Sequence, residues 1–251
     1  MPPLAGIVEV KARLAGARAV TVLTGAGISA DSGVPTFRGA DGLWRNYRAE
    51  DLATPEAFAR DPRLVWEWYN WRRELIATKT PNAAHHALVE LERRVERFWL
   101  ITQNVDGLHP DAGSRKLSEI HGNIWKVRCT QCRQVQRNRD VPIPILPLCP
   151  ACGGLLRPHI VWFGESLDPE HLEAVDDFLE RWRGTRLVFL AAGTSGAVWP
   201  AAGFVDLARA RGAATWLVNA ERADNAGRFD HVLQGPSGVL LPALLGGGGG
   251  A

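Results

Sequence analysis

The four cysteines of the chain form two pairs, Cys129-x-x-Cys132 and Cys149-x-x-Cys152, and the chain has no other cysteine. Two thiolates two residues apart can bind one side of a tetrahedral Zn²⁺, and a second pair completes the shell. Two disulfides or a redox-active CxxC motif would use the same residues, but disulfides are rare in the cytosol. Because four thiolates leave no coordination position open, the spacing predicts one structural zinc ion holding a small ribbon over residues 126–158.

A glycine-rich segment follows the first apolar run of the chain. Residues 25–30, GAGISA, have a G-x-G-x-x-A form of the dinucleotide fingerprint, in which glycines let the backbone approach a pyrophosphate at a helix N-terminus. The motif alone is weak, since a glycine turn between a strand and a helix is common without any ligand. An ordinary dehydrogenase would also show an acid at the end of a second strand about 20 residues further on.

Residues 32–47, SGVPTFRGADGLWRNY, do not fit that second strand, because glycine and proline interrupt any helix-then-strand pattern. The segment instead predicts a mobile loop over the nucleotide. A hydride-transfer enzyme is therefore the less natural inference.

These motifs can form one site only if the helices and strands of the chain bring them together. Short runs rich in apolar, β-branched or aromatic residues predict buried strands at residues 19–24, 98–102, 186–192 and 214–219. Amphipathic patterns predict helices near residues 4–17, 61–79, 82–96, 168–183 and 200–211. The alternation predicts an α/β fold, a parallel sheet with helices on both faces. Ligands bind beyond the carboxyl ends of the strands in such sheets, which is where the polar motifs begin.

Composition limits the partners of the chain. Its 251 residues, 46% hydrophobic and 22% charged, suit one large domain or one domain with a small insert. A net charge of +2 is too balanced for affinity based on phosphate neutralisation, so a nucleic-acid partner is disfavoured. No apolar run reaches the length of a membrane span, and the first residues do not read as a signal peptide. We therefore expect a cytoplasmic protein without a membrane partner. We also expect a monomer.

Several motifs of the chain occur in the order found in one known family. They are TGAGISADSGVPTFRGADGLW, TQNVDGLH, EIHG, the two cysteine pairs, PHIVWFGE, GTS and NAE. The chain thus resembles the sirtuins, NAD-dependent protein lysine deacylases, from about residue 14 to residue 245. It is most similar to the class III, bacterial-type members that remove acidic acyl groups. These have a threonine before FR, as Thr36 is here, and a Y-x-x-R helix, present here as Tyr69 and Arg72.

The resemblance implies a domain organisation and two small-molecule partners. A Rossmann-like NAD-binding domain would comprise residues 1–125 and 159–245, with a helical insert at about 44–80. A zinc-ribbon domain would be inserted at 126–158, and a flexible glycine tail would follow at 246–251. The cleft between the domains would bind NAD⁺ as cosubstrate and an acyl-lysine peptide of a protein substrate.

The same resemblance implies the site residues. NAD⁺ would be bound by Gly25, Ala26, Gly27, Ile28, Asp31, Phe37, Arg38, Trp44, Gln103, Asn104, Val105, Asp106, Gly193, Thr194, Ser195, Asn219, Ala220, Glu221 and Ser237. The acyl-lysine peptide would be bound by Tyr69, Arg72, Ala53, Val161, Trp162, Phe163 and Gly164. Ser237 would contact the adenine through its side chain or through its backbone alone.

The reaction also follows from the resemblance. The acyl carbonyl oxygen would attack the nicotinamide ribose and expel nicotinamide, and His121 would act as general base on the ribose hydroxyls. Water would then release free lysine and O-acyl-ADP-ribose, and Asn104 and Asp106 would complete the catalytic set. An NAD-binding or protein ADP-ribosyltransferase module with weak deacylase activity is the alternative, and the presence of all three residues favours the deacylase.

Acyl choice would depend on Tyr69 and Arg72, which share one helix face because they are spaced i and i+3. A guanidinium matches the carboxylate of succinyl- or malonyl-lysine, which acetyl-lysine lacks. An arginine on an amphipathic helix is otherwise solvated or paired with an acid such as Glu67. The combination of this pair with Thr36 and the small Ala53 favours acidic acyl groups. We therefore predict desuccinylation, demalonylation and deacetylation.

Overall fold

The structure of the chain is a computed structural model, and it describes residues 4–35, 47–184 and 186–246. The strands are β1 (Ala19–Thr24), β2 (Arg97–Thr102), β3 (Leu117–Glu119), β4 (Gly122–Cys129), β5 (Val135–Arg137), β6 (Leu156–Ile160), β7 (Leu187–Ala192), β8 (Ala214–Asn219) and β9 (His231–Gln234). The α-helices are α1 (Leu4–Ala15), α2 (Gly27–Ala30), α3 (Ala49–Leu52), α4 (Pro55–Arg60), α5 (Pro62–Ala77), α6 (Ala83–Arg94), α7 (Leu108–Ala112), α8 (Pro169–Arg181), α9 (Phe204–Ala210) and α10 (Ser237–Leu245). Within the described ranges, no helix has both the length and the apolar character that a bilayer crossing requires.

Six strands form one sheet in the order β3-β2-β1-β7-β8-β9, and every neighbouring pair is parallel. Every residue of β1 and β7 is buried, as expected for interior strands covered on both faces. Thr24, at the end of β1, is in register with Thr102 of β2 and Ala192 of β7. The segments that follow these three residues therefore meet at the carboxyl edge of the sheet.

Two hydrophobic cores cover the two faces of this sheet. One packs the sheet against α1, α6 and α10, with Val22, Leu88 and Leu241 completely buried. The other packs it against α8 and α9, with Phe189 and Val205 completely buried. Each such side chain contributes roughly 1.5–3 kcal/mol through its burial. The predicted α/β fold with helices on both faces is confirmed.

Residues 122–160, which we call the ribbon, form a three-stranded antiparallel sheet in the order β5-β4-β6. A third core joins the ribbon to α3, α4 and α5, and it includes Trp66 and Trp68 of α5 together with Val127 and Ile160 of the ribbon. The ribbon therefore packs directly on α5. The exact domain boundaries stay a prediction from the sequence.

Candidate active site

A cavity of about 630 Å³ lies where the carboxyl edge of the sheet meets α3, α5 and the segment after β6. The predicted site residues that line it are Ala26, Ala53, Tyr69, Arg72, Gln103, Asn104, Val105, Asp106, His121, Val161, Trp162, Phe163 and Gly164. Residues predicted to bind the acyl-lysine peptide and several of those predicted to bind NAD⁺ thus share one cavity.

Other predicted NAD⁺ residues do not line this cavity: Gly25, Gly27, Ile28, Asp31, Gly193, Thr194, Ser195, Asn219, Ala220, Glu221 and Ser237. Hydrogen bonds nevertheless connect some of them to it. The Gln103 side chain donates to Thr194 Oγ1 at 3.0 Å, and the Asn219 side chain donates to the Thr194 carbonyl at 3.0 Å. The network therefore runs along the sheet edge from the cavity to β8.

The positions of some predicted NAD⁺-binding residues limit how they could contact the ligand. The Ile28 side chain packs in the hydrophobic core, which leaves only its backbone for a ligand. Asp31 accepts a hydrogen bond from the Gly238 N–H at 2.9 Å, beside the buried Ser237. Thr36, Phe37, Arg38 and Trp44 lie outside the described residues.

Glycines allow the loops after β1 and β7 to touch. Gly27 donates its N–H to the Gly193 carbonyl at 2.8 Å, and a Cβ on Gly25 would lie 2.7 Å from the same oxygen. Gly193 has a φ of 62°, in the left-handed region that favours glycine. Chain packing alone therefore requires glycine here, whether or not a dinucleotide binds. The helix that follows, α2, has only four residues.

His121 follows β3, and its ring is held by one hydrogen bond. Nδ1 lies 2.9 Å from the Gln103 carbonyl oxygen. Because a carbonyl can only accept, Nδ1 carries the proton and Nε2 is left as the acceptor. Burial lowers the pKa of His121, and the bond to Gln103 only partly opposes this shift. The imidazole is therefore neutral at neutral pH, as a general base must be.

Asn104 and Asp106 meet at a hydroxyl that the sequence analysis did not single out. Ser29, on α2, donates to Asp106 Oδ2 at 2.8 Å and accepts from Asn104 Nδ2 at 3.2 Å. The Asn104 amide also donates to the Gly25 carbonyl at 3.1 Å. Burial raises the pKa of the Asp106 carboxyl, and the hydrogen bonds from Leu108 N–H and Ser29 oppose that shift. Both site residues are thus fixed by the glycine-rich loop.

Tyr69 and Arg72 project from α5 into the cavity. Tyr69 is fully buried, and its hydroxyl accepts a hydrogen bond from the Trp162 ring N–H at 2.8 Å. The Arg72 guanidinium lies 5.0 Å from the ring centroid of Trp68 and 5.7 Å from that of Tyr69. Arg72 is only 7% exposed, which argues against the alternative of a solvated surface arginine.

The electrostatics of this pair follow from burial. Burial lowers the pKa of Arg72, while Tyr69 and Asp106 act in the opposite direction. Burial raises the pKa of the Tyr69 phenol, so its hydroxyl hydrogen is retained for donation. A cation and a phenolic donor thus face one enclosed space, which is a suitable pair for a carboxylate.

Trp162 is itself anchored by an ion pair that the sequence analysis missed. Arg157 donates to both oxygens of Glu165 at 2.7 and 2.9 Å, and Glu165 also accepts from the Trp162 N–H at 2.8 Å. Burial would raise the pKa of Glu165, but these hydrogen bonds outweigh it and the pKa is lowered. The only available signal was the position of Glu165 at the end of PHIVWFGE.

The four cysteines come together at one end of the ribbon. Their sulfur atoms all lie within 4.8 Å of one another, with 3.5 Å between Cys129 and Cys152 and 3.8 Å between Cys132 and Cys149. A tetrahedral ion with Zn–S bonds of about 2.3 Å places its ligands about 3.8 Å apart. Because a disulfide would need about 2.05 Å, the thiols are free and suited to one Zn²⁺.

Comparison with known proteins identifies the family. The model of the Sir2 family matches residues 25–200. The chain belongs to the Sir2 family. An "NAD-dependent protein deacylase" of Leptospira interrogans (serovar Lai) is 50% identical to this Sir2 chain, with 90% of the chain and 91% of that protein covered. "NAD-dependent protein deacylase sirtuin-5, mitochondrial" of Canis lupus familiaris is 44% identical, with 97% of the chain and 86% of that protein covered.

A solved structure extends this similarity to three dimensions. A mutant Sir2 homologue in complex with 2′-O-acetyl ADP ribose has a TM-score of 0.87 to this chain at 45% identity, and the match covers 94% of each chain. The Sir2 assignment therefore holds for the whole described fold, including the sheet and the ribbon, as well as for the motifs.

Proposed function

We propose that this Sir2 family chain is an NAD-dependent protein lysine deacylase that releases free lysine, nicotinamide and O-acyl-ADP-ribose. One observation carries the proposal: a single cavity holds His121, with Nε2 available as acceptor, beside Asn104 and the pair Tyr69 and Arg72. The names of its relatives and the acetyl ADP ribose complex of a homologue support the same reaction.

His121 would act as the general base. NAD⁺, when bound, supplies the ribose that receives the acyl group and the nicotinamide that leaves. Nε2 of the neutral imidazole would accept a proton from a ribose hydroxyl, while the Gln103 carbonyl holds the ring through Nδ1. General-base steps of this kind contribute roughly 10²–10⁴-fold to a rate.

Asn104 and Asp106 would orient the reacting groups. The amide nitrogen of Asn104 is engaged by Gly25 and Ser29, so its amide oxygen remains to accept a hydrogen bond from a ribose hydroxyl or a water. Asp106 would act through the Ser29 hydroxyl, which it shares with Asn104. Their proposed role is therefore positioning, in support of His121.

Tyr69 and Arg72 would select the acyl group. Succinyl and malonyl groups carry a carboxylate that can accept from both side chains, and the small Ala53 in the same cavity leaves room for the longer chain. An acetyl group is small enough to be accepted without those contacts. We therefore propose desuccinylase and demalonylase activity alongside deacetylase activity.

The remaining proposed partners follow the same geometry. NAD⁺ would extend along the sheet edge from Gly25 to Ser237, and the peptide would lie against the segment 161–164. The four cysteines would bind one structural zinc ion. Four thiols kept for a metal need a reducing compartment, which supports a cytoplasmic location. One chain supplies every proposed site residue, which supports activity as a monomer.

An assay of nicotinamide release from NAD⁺ tests the proposal, with unmodified, acetyl-, succinyl- and malonyl-lysine versions of one peptide. A deacylase releases nicotinamide only with the acylated peptides. A binding module releases none, and an ADP-ribosyltransferase releases it irrespective of the acyl group. Either of the last two results would contradict the proposed activity.

A further inference from the structure

Helix α5 presents two neighbouring faces with different contacts. Tyr69 and Arg72 line the cavity, whereas Trp66, Asn70 and Arg73 bond to the ribbon. At 3.6 residues per turn, the spacing i, i+4 and i+7 places those three residues in one stripe. Tyr69 and Arg72 form the adjacent stripe. The residues proposed to read the acyl group therefore share a helix with a row of ribbon contacts.

Arg73 makes the most extensive of these ribbon contacts. It is only 1% exposed, and its guanidinium donates to the backbone carbonyls of Ile124 at 2.6 Å, Asn138 at 2.8 Å and Asp140 at 2.9 Å. It also lies 5.0 Å from the ring centroid of Trp125. Burial lowers the pKa of Arg73 to about 10, with the charge of Asp140 opposing the shift, so the side chain stays charged at neutral pH.

Asn70 and Trp66 add contacts that fix both rotation and register. The Asn70 amide donates to the Ile143 carbonyl at 2.8 Å and accepts from the Ile143 N–H at 3.0 Å. The Trp66 ring N–H donates to the Leu156 carbonyl at 3.0 Å. Each partner is a backbone group, whose position is set by the fold of the ribbon rather than by a flexible side chain.

The ribbon side of this interface spans most of the ribbon. Ile124 belongs to β4, Asn138 and Asp140 follow β5, and Leu156 begins β6. A buried guanidinium that loses its acceptors carries a large desolvation penalty. The helix can therefore shift relative to the ribbon only by breaking several bonds together.

We propose that Arg73 and Asn70 are positioning residues that fix α5 on the ribbon and thereby place Tyr69 and Arg72 for acyl selection. This inference rests on the proposed function. A small shift of α5 would change acyl preference only if Tyr69 and Arg72 bind the acyl group. The His121 ring is oriented by the Gln103 carbonyl at the sheet edge, and none of the bonds from α5 to the ribbon involves it. Loss of the α5 contacts should therefore affect acyl recognition and spare the chemical step.

Steady-state kinetics with succinyl- and acetyl-lysine versions of one peptide test this. For Arg73→Met we expect the KM for the succinyl peptide to rise about tenfold relative to that for the acetyl peptide, with kcat nearly unchanged, as for the loss of a charged hydrogen bond. Arg73→Lys should recover part of the effect, since an ammonium retains donors. Arg63→Met, an exposed arginine on the same helix, is the matched control and should behave like the wild type.

Asn70→Ala provides a second variant if Arg73→Met does not fold, and it should shift the same KM ratio in the same direction. If activity toward both peptides falls equally, in proportion to the folded fraction of the protein, the role is merely structural and the inference is overturned.

Arg72→Met distinguishes failure of this inference from failure of the proposed acyl recognition. If it alters the succinyl preference while Arg73→Met and Asn70→Ala do not, only this inference fails; if Arg72→Met itself has no selective effect, the proposed acyl reading fails.

Discussion

The ring of His121 is oriented by a backbone carbonyl, and that bond determines which nitrogen can accept a proton. For His121→Ala we expect turnover to fall by roughly 10²–10⁴-fold, because the proposed general base is removed. NAD⁺ and peptide affinities should stay close to those of the wild type in calorimetric titrations. Turnover near the wild-type value would require a different base.

The pH profile of kcat/KM, which reports the groups of the free enzyme, provides an independent check on His121. Its pKa lies below the usual 6.5 because of burial, and only the neutral form can act as a base. Activity should therefore be full at neutral pH and should decline only as the pH falls through a value below 6.5. An acidic limb centred above 6.5 would contradict the buried, neutral histidine.

Arg72 is the residue on which acyl selectivity is expected to depend. For Arg72→Met the KM for succinyl-lysine peptides should rise by about tenfold or more, as for a charged hydrogen bond of roughly 1.5–3 kcal/mol. Acetyl-lysine peptides lack the carboxylate and should be nearly unaffected. Comparable losses on both peptides in steady-state assays would show that Arg72 does not read the acyl group.

At the scale of elements, two buried histidines lie between α6 and α7. The ring centroids of His85 and His109 are 4.8 Å apart, and the Asn82 N–H donates to His85 Nδ1 at 3.2 Å. Burial lowers the pKa of both rings, to about 4 for His85. The unfolded chain therefore binds more protons than the folded chain between pH 6.5 and about 4.

Stability should consequently fall as the pH is lowered through that window. For His85→Gln the free energy of unfolding in urea should depend less on pH between 7 and 5, by up to about one proton, since one buried histidine is removed. His86→Gln, at an exposed position on the same helix, should change the dependence only slightly, because the charge of His86 contributes less than burial to the lowered pKa of His85. Identical slopes for the wild type and His85→Gln would refute the assignment.

The sequence predicts best the helices and strands whose apolar residues form a clear run or repeat at a regular spacing. Apolar runs locate β1, β2, β7 and β8 within one residue, and amphipathic patterns locate α5, α6 and α8. Strands β3 and β9 have only three and four residues and give no clear alternation. Helix α10, SGVLLPALL, is apolar on every side and contains Pro242, so it shows no helical period.

The same limits apply to the site. Motif order brings His121, Asn104 and Asp106 together, because each follows a strand of the parallel sheet. The sequence around Ser29 does not indicate a role for its hydroxyl. That role depends on the orientation of α2, which directs Ser29 toward Asn104 and Asp106. Helix geometry alone likewise does not distinguish Arg72 from Arg73, because both lie within about one turn of Tyr69, and only the Y-x-x-R motif selects Arg72. Arg72 lines the cavity and Arg73 is enclosed by the ribbon, a difference that depends on how the ribbon packs on α5.

At the scale of the whole molecule, the zinc site and α5 depend on one core. The ribbon cysteines Cys129 and Cys149 belong to the same hydrophobic cluster as Trp66 and Trp68 of α5. For Cys149→Ala we therefore expect loss of zinc and of soluble folded protein together, measured by zinc content and circular dichroism. Gln131→Ala, an exposed neighbour, should retain both. A stable, active, zinc-free Cys149→Ala protein would contradict a structural zinc.

Product stoichiometry tests NAD-dependent deacylation most directly. The measurement is mass spectrometry of the reaction of the wild-type protein with NAD⁺ and a succinyl-lysine peptide. We predict equal amounts of nicotinamide, unmodified lysine peptide and O-succinyl-ADP-ribose at every time point. Nicotinamide accompanied by a peptide that keeps its succinyl group, whether ADP-ribosylated or unchanged, would contradict the account.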